Sequence, residues 1–132
     1  MRILIADDSS VVRRGVCGIL SAEKDLEVCG EARDGPEALQ KARELLPDLI
    51  LLDISMPGMN GLEAARLLRN EVCQAKILVI SHHDPTQLLP SVIAAGADGC
   101  VDKSRLSEDL VGPRLADEVL NTSSGSARAP TG

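Results

Sequence analysis

The sequence predicts a three-layer α/β fold: a five-stranded parallel sheet of order 2-1-3-4-5 with helices on both faces. Three observations predict it. Short apolar runs are continuous rather than alternating, as in strands buried on both faces. Stretches with helical apolar spacing separate them, and alternating strand and helix implies right-handed crossovers over a parallel sheet. Acidic residues follow directly on two of the runs, at the strand ends where open parallel sheets place their ligand sites.

The elements follow in order. Residues 2 to 6 contain Ile3, Leu4, Ile5 and Ala6, a first buried strand. Val12, Val16, Ile19 and Leu20 recur at helical spacing, and Ser9 or Ser10 can cap that helix. Residues 26 to 32 are more mixed and suit an edge strand. Ala38, Leu39, Ala42, Leu45 and Leu46 pattern a second helix that Pro47 ends. Further buried strands are expected at 49 to 52, 77 to 80 and, shorter, 98 to 101. Pro90 falls inside the fourth helix, "DPTQLLPSVIAAG", beyond the first turn where proline is tolerated, so that helix should start late or kink. Gly112 and Pro113 interrupt the fifth, "RLSEDLVGPRLADEVL", in the same manner. From Asn121 the chain reads "NTSSGSARAPTG", which has too little apolar surface to offset its ordering entropy. The expected organisation is one domain over residues 1–121 and a disordered tail or linker stub over 122–132.

Composition narrows the function classes. The 132 residues suit one domain, and with no Phe, Tyr or Trp its core must be aliphatic. Twenty acidic against fourteen basic residues give a net charge of −6, which argues against direct nucleic-acid binding by this segment. Cys17, Cys29, Cys73 and Cys100 show no zinc-type spacing and read as buried free thiols in a reducing compartment. No apolar run approaches the ~20 residues that span a bilayer, and no signal peptide is visible. The expectation is a soluble, cytoplasmic protein without a membrane partner.

The chemistry gathers at strand ends. The first strand delivers Asp7 and Asp8, and the third, "DLILLD", ends in Asp53. In the flavodoxin-like order these strands are neighbours, so three carboxylates meet at one mouth. Such a group calls for a hard divalent cation, and Mg²⁺ takes one or two carboxylates with other oxygens at ~2.0–2.1 Å. The fourth strand ends in Ser81 and the fifth leads to Lys103. A hydroxyl, an ammonium and a magnesium ion around one carboxylate make a cradle for a phosphoryl group, with Asp53 as nucleophile. Singly, each residue has a plainer reading as a turn former, a helix cap or a solvated lysine. Their joint placement at successive strand ends favours the site.

At these residues the chain resembles the receiver domain of two-component response regulators, through "ILIADDSS", "DLILLDISMPGMNGLEAARLLR", "ILVIS" and "AAGADGCVDKS". The "MPGMNG" stretch resembles the branch whose members often carry a helix-turn-helix output domain. The resemblance implies that Asp53 is the phosphoacceptor, and that Asp8 binds Mg²⁺ (or Mn²⁺) directly while Asp7 acts mainly through water. It adds the backbone carbonyl of Ser55 as a further metal ligand. Ser81 and Lys103 would each hold a phosphoryl oxygen. Gly58 and Gly61 would allow tight turning after Asp53, and Pro57 would stiffen it. The donor would be a sensor histidine kinase or a phosphotransfer protein, and a homodimer or an output protein would be the further partner. Enzymatic activity would be limited to autophosphorylation and slow self-dephosphorylation.

Departures from the family pattern bear on mechanism. Members normally carry Tyr or Phe three residues before the lysine, a ring that turns inward as the Ser or Thr moves; here that position is Cys100. With the broken helices, this fits either a remodelled surface of helix four, strand five and helix five or plain sequence drift without functional change. Ser55 and His83 occupy the two positions that, by resemblance, flank the hydrolytic water and tune the lifetime of the acyl phosphate. The adjacent pair His82 and His83 lacks metal-ligand spacing and reads as loop. Two other readings compete with the switch: a receiver-fold binding module that works without phosphorylation, and a hydrolase passing through an aspartyl phosphate. The hydrolase would want a second acid where Ser55 stands.

Overall fold

The computed structural model describes residues 1–71, 74–81 and 85–102. Within them run β1 (Arg2–Ala6), α1 (Ser10–Ser21), β2 (Glu27–Ala32), α2 (Gly35–Leu45), β3 (Leu49–Asp53), α3 (Gly61–Glu71), β4 (Lys76–Ser81), α4 (Pro85–Ala94) and β5 (Gly99–Asp102). All four strand pairings are parallel, and the sheet has the expected flavodoxin-like order, β2-β1-β3-β4-β5. The expected fifth helix, with Gly112 and Pro113, and the expected tail lie outside the described residues. So do Cys73, His82, His83 and Lys103.

Alternate residues of the buried strands feed two cores. Leu4, Ala6, Ile50, Leu52, Ile77 and Val79 face α2, α3 and α4, whereas Ile3, Ile5, Leu49, Leu51, Leu78 and Ile80 share a face with Val16 and Leu20 of α1. Without aromatic rings, the first core fills by close approach. Ala38, Ala42, Ala64 and Ala65 are completely buried, so the helix backbones sit near the sheet and no large side chain is needed between them.

Local chemistry sets the helix ends. The Ser9 hydroxyl oxygen accepts from Val12 N at 3.2 Å and caps α1. Asp34 accepts from Glu37 N at 2.9 Å, while the Glu37 carboxylate takes Arg33 N at 2.8 Å, so two orphan donors at the start of α2 are satisfied together. Leu46 is not the last apolar residue of α2 but its cap, in the left-handed region at φ 48°, exposed, with Pro47 behind it. The fourth helix does not start late: α4 begins at Pro85 and continues through Pro90, which is exposed, to Ala94.

β2 forms the edge, as its mixed composition predicts, and its register shifts once. Ile3 pairs with Val28 but Leu4 with Gly30, so Cys29 is an extra residue on the edge strand. Cys17, Cys29 and Cys100 are free but only partly buried, not the core thiols expected from the sequence. No helix among the described residues is long and apolar enough to cross a membrane.

At the amino edge of the sheet, guanidinium groups tie elements together. Arg69 at the end of α3 donates to Gly96 O at 2.8 Å, Ala75 O at 2.9 Å and Asp98 Oδ2 at 2.6 Å, and the same Asp98 oxygen accepts from Ile77 N at 2.9 Å. Arg2 N donates to Asp48 Oδ2 at 2.8 Å, and its side chain reaches Leu45 O, the end of α2.

Candidate functional site

The carboxyl edge of the same sheet collects acids. Because β1 and β3 are neighbours, the turn after β1 and the last residue of β3 come together, and carboxylate oxygens of Asp7, Asp8 and Asp53 lie within 4.8 Å of one another. Asp7 and Asp53 are buried, at 0% and 2% exposure, and Asp8 faces solvent.

Backbone donors fix the two buried acids. Asp7 N donates to Ala32 O at 3.0 Å, which docks the strand end on β2, and Asp7 Oδ1 accepts from Ser9 N at 2.9 Å. Asp53 Oδ1 accepts from Ser55 N at 3.1 Å, an Asx-type turn that sets the rotation of the carboxylate. Ile54 N then donates to Ile80 O at 3.0 Å, so the chain leaving Asp53 stays bonded to β4. Ser81, the last residue of β4, is buried beside that strand end and pairs in register with Asp102. Ser55 is exposed on the loop.

The loop after Asp53 folds back on itself. Gly58 takes φ 81°, where a side chain would be strained, and Met59 N returns to Pro57 O at 3.0 Å. Gly61 works differently from the turn former expected. Its φ is not positive; it opens α3 hard against the strand end, with its N–H 2.9 Å from Ile54 O. A Cβ there would stand 2.4 Å from Asp53 O and 2.5 Å from Ile54 Cα. Met59 is seated on Gly35 of α2, where a Cβ would meet its sulfur at 2.6 Å. Asn60 starts α3 by accepting from Glu63 N at 2.9 Å.

Of the residues expected to form the site, the structure brings Asp7, Asp8 and Asp53 together and places Ser81 on the adjoining strand end, while Lys103 and His83 lie outside the described residues. Cys100 pairs with Val79 on β5, and burial pushes its thiol up to about 11, with Asp102 adding to the rise. It is a neutral, small group at ordinary pH. Arg13, Met59 and Gly35 were not read from the sequence; nothing in helical spacing or strand-end chemistry singles them out, since each acts through a partner distant in the chain.

Three clustered carboxylates, two of them withdrawn from water, form a donor set for a hard divalent cation: oxygen ligands only, with room for other oxygens on the exposed Asp8 side. The group fits Mg²⁺ and offers a soft metal no sulfur or imidazole among the described residues.

A family model described as the response regulator receiver domain matches residues 3–112. The response regulator protein VraR of Staphylococcus aureus is 36% identical over 125 residues, which cover 95% of this chain and 57% of VraR. The transcriptional regulatory protein LnrK of Bacillus subtilis is 34% identical over 111 residues, 84% of this chain and 50% of LnrK. The chain thus spans about half the length of these curated relatives. Among solved structures, the response regulator domain of Thermotoga maritima CheB superposes with a TM-score of 0.79 at 28% identity, covering 92% of this chain and 95% of that one. The signal receiver domain of NarL from Mycobacterium tuberculosis gives 0.74 at 32%, covering 96% and 95%.

Proposed function

Since the chain belongs to the receiver-domain family of two-component response regulators, we propose that it is a phosphorylation-controlled switch in which Asp53 accepts a phosphoryl group from a sensor histidine kinase or a phosphotransfer protein. The observation that carries this reading is the meeting of Asp7, Asp8 and a buried, strand-terminal Asp53 within 4.8 Å.

In the transfer, an Asp53 carboxylate oxygen attacks phosphorus as the phosphorus–nitrogen bond of phosphohistidine breaks. The electron pair returns to the imidazole, and an acyl phosphate is left on Asp53. The Ser55 N–H at 3.1 Å holds one carboxylate oxygen and so orients the other toward its partner groups. Asp7, Asp8, Asp53 and the backbone carbonyl of Ser55 would hold Mg²⁺ (or Mn²⁺), which when bound supplies positive charge to the oxygens of the group in transfer. The Ser81 hydroxyl and the Lys103 ammonium would donate to two of those oxygens. Ser55 and His83 would tune the lifetime of the acyl phosphate by flanking the path of the hydrolytic water.

The state of Asp53 would be read through Ser81 and the surface of α4, β5 and the fifth helix. Cys100, half-buried and uncharged, fills little space, so rotation of a bulky ring is replaced by movement of the strand and helix backbones around it. That surface would control an output protein or domain, in the cytoplasm where sensor kinases present their phosphohistidine. A binding module that works without phosphorylation is the reading the small Cys100 would otherwise favour.

Intact mass after incubation with acetyl phosphate and Mg²⁺ tests the proposal. The wild-type chain is expected to gain one phosphoryl group and Asp53→Asn none. No gain in the wild type, or an equal gain in the variant, overturns it, and the first outcome selects the binding module.

A further inference from the structure

One arginine grips the acidic corner from α1. Arg13 Nη1 donates to the backbone carbonyl of Asp7 at 2.6 Å, and its Nε donates to Glu31 Oε1 on β2 at 3.0 Å. Its side chain is only 17% exposed, so the guanidinium is held on both sides. The carbonyl it grips belongs to the Asp7–Asp8 peptide. Asp7 is also tied down by Ala32 and Ser9, but Asp8 is the exposed member of the trio, and packing does not lock it. The orientation of the peptide that carries Asp8 therefore depends on Arg13.

From this we infer that Arg13 is a positioning residue for divalent-cation binding: it fixes the Asp7–Asp8 peptide so that the Asp8 carboxylate points into the cluster. The inference rests on the reading that the three acids hold a divalent cation. Charge alone predicts the reverse effect, because a cation near three carboxylates competes with a metal for them. Glu31 largely cancels that competition by pairing with the guanidinium, which leaves its hydrogen bond as the dominant contribution. Glu31 in turn is placed by β2, whose carbonyl at that residue accepts from Lys41 Nζ at 2.7 Å.

Mn²⁺ binding to the full chain, read from loss of the free-ion paramagnetic resonance signal, tests the assignment. Arg13→Gln is expected to weaken binding about tenfold with an unchanged circular dichroism spectrum, as for other partners that orient a metal ligand. Arg13→Lys keeps the charge but cannot hold both acceptors, and is expected to weaken binding about threefold. In labelling by acetyl phosphate, Arg13→Gln raises the Mg²⁺ concentration for half-maximal rate and retains the limiting rate, a split that general loosening of the fold would not produce. Equal or tighter Mn²⁺ binding by Arg13→Gln, beside weakened binding by Asp8→Asn, overturns the role of Arg13 and leaves the phosphorylation reading intact. A wild-type chain that binds no Mn²⁺, or Asp8→Asn binding as well as wild type, overturns both. If Arg13→Gln does not fold, Arg13→Lys decides: weaker binding supports the assignment, and wild-type affinity overturns it.

Discussion

The two edges of the sheet use one side chain for opposite ends. At the amino edge, Asp98 meets a guanidinium at 2.6 Å and a backbone N–H at 2.9 Å, and Asp48 caps Arg2 N. At the carboxyl edge, Asp7, Asp8 and Asp53 meet one another. A carboxylate matched by donors binds α3, β4 and the α4–β5 connection together. Carboxylates crowded together repel one another, even with Ser9 N and Ser55 N donating to Asp7 and Asp53. The proposed switch thus sits at the edge opposite the donor-matched carboxylates, and β1, β3 and β4 between them are almost wholly buried.

The largest effect is expected from Asp98→Ala, which removes the carboxylate oxygen that Arg69 Nη2 and Ile77 N share. Loss of about 3 kcal/mol, seen as a lower urea midpoint, is the expected outcome, with labelling of Asp53 retained in the folded protein. Labelling lost in parallel with stability would show that the edges are not separable. Asp8→Asn makes the converse test. Relief of one like charge in three should leave the metal-free protein as stable as wild type or about 0.5 kcal/mol more so, while the rise in melting temperature on adding Mg²⁺ disappears. A large destabilisation would mean that the acidic corner is a staple as well. The smallest effect belongs to Arg43 and Glu71, the same chemistry as Arg69 and Asp98 but exposed between α2 and α3. The hydrogen bond from Arg43 holds the Glu71 carboxyl below its usual range. Its contribution is present above the ordinary carboxylate pKa and lost as pH falls through the lowered one. Solvent and salt screen it, so Glu71→Gln should leave the pH dependence of the melting temperature nearly unchanged at moderate ionic strength.

What the sequence made legible was whatever depends on near neighbours. Continuous apolar runs located four strands, because burial on both faces leaves no polar alternation, mixed composition marked β2 as the edge, and strand-end acids located the cluster, because a parallel sheet puts every carboxyl end on one edge. Ser9 and Pro47 marked helix ends through backbone chemistry local to them. The amino-edge clamps were not legible, since Arg2 and Asp48, or Arg69 and Asp98, are joined only by the folded path of the chain. The same holds for Arg13 with Glu31 and Met59 with Gly35. Pro90 did not set the start of its helix, because α4 runs through it from Pro85. The partial exposure of the thiols was hidden for a like reason: Cys29 sits on the edge strand and Cys17 on α1 against Glu31 of that strand, which composition cannot reveal.

The single surplus residue in β2 has a consequence for parity. Side chains alternate across a strand, so one insertion exchanges the sides of everything after it. Gly30 thereby turns toward α2, where Leu45 leaves no room for a Cβ, and Glu31 turns toward α1 and meets Arg13. Without that shift Leu4 would face Cys29 and Glu31 would lie opposite Ala6, on the α2 layer. The register shift, rather than residue identity alone, thus decides which helix the strand's acid can serve.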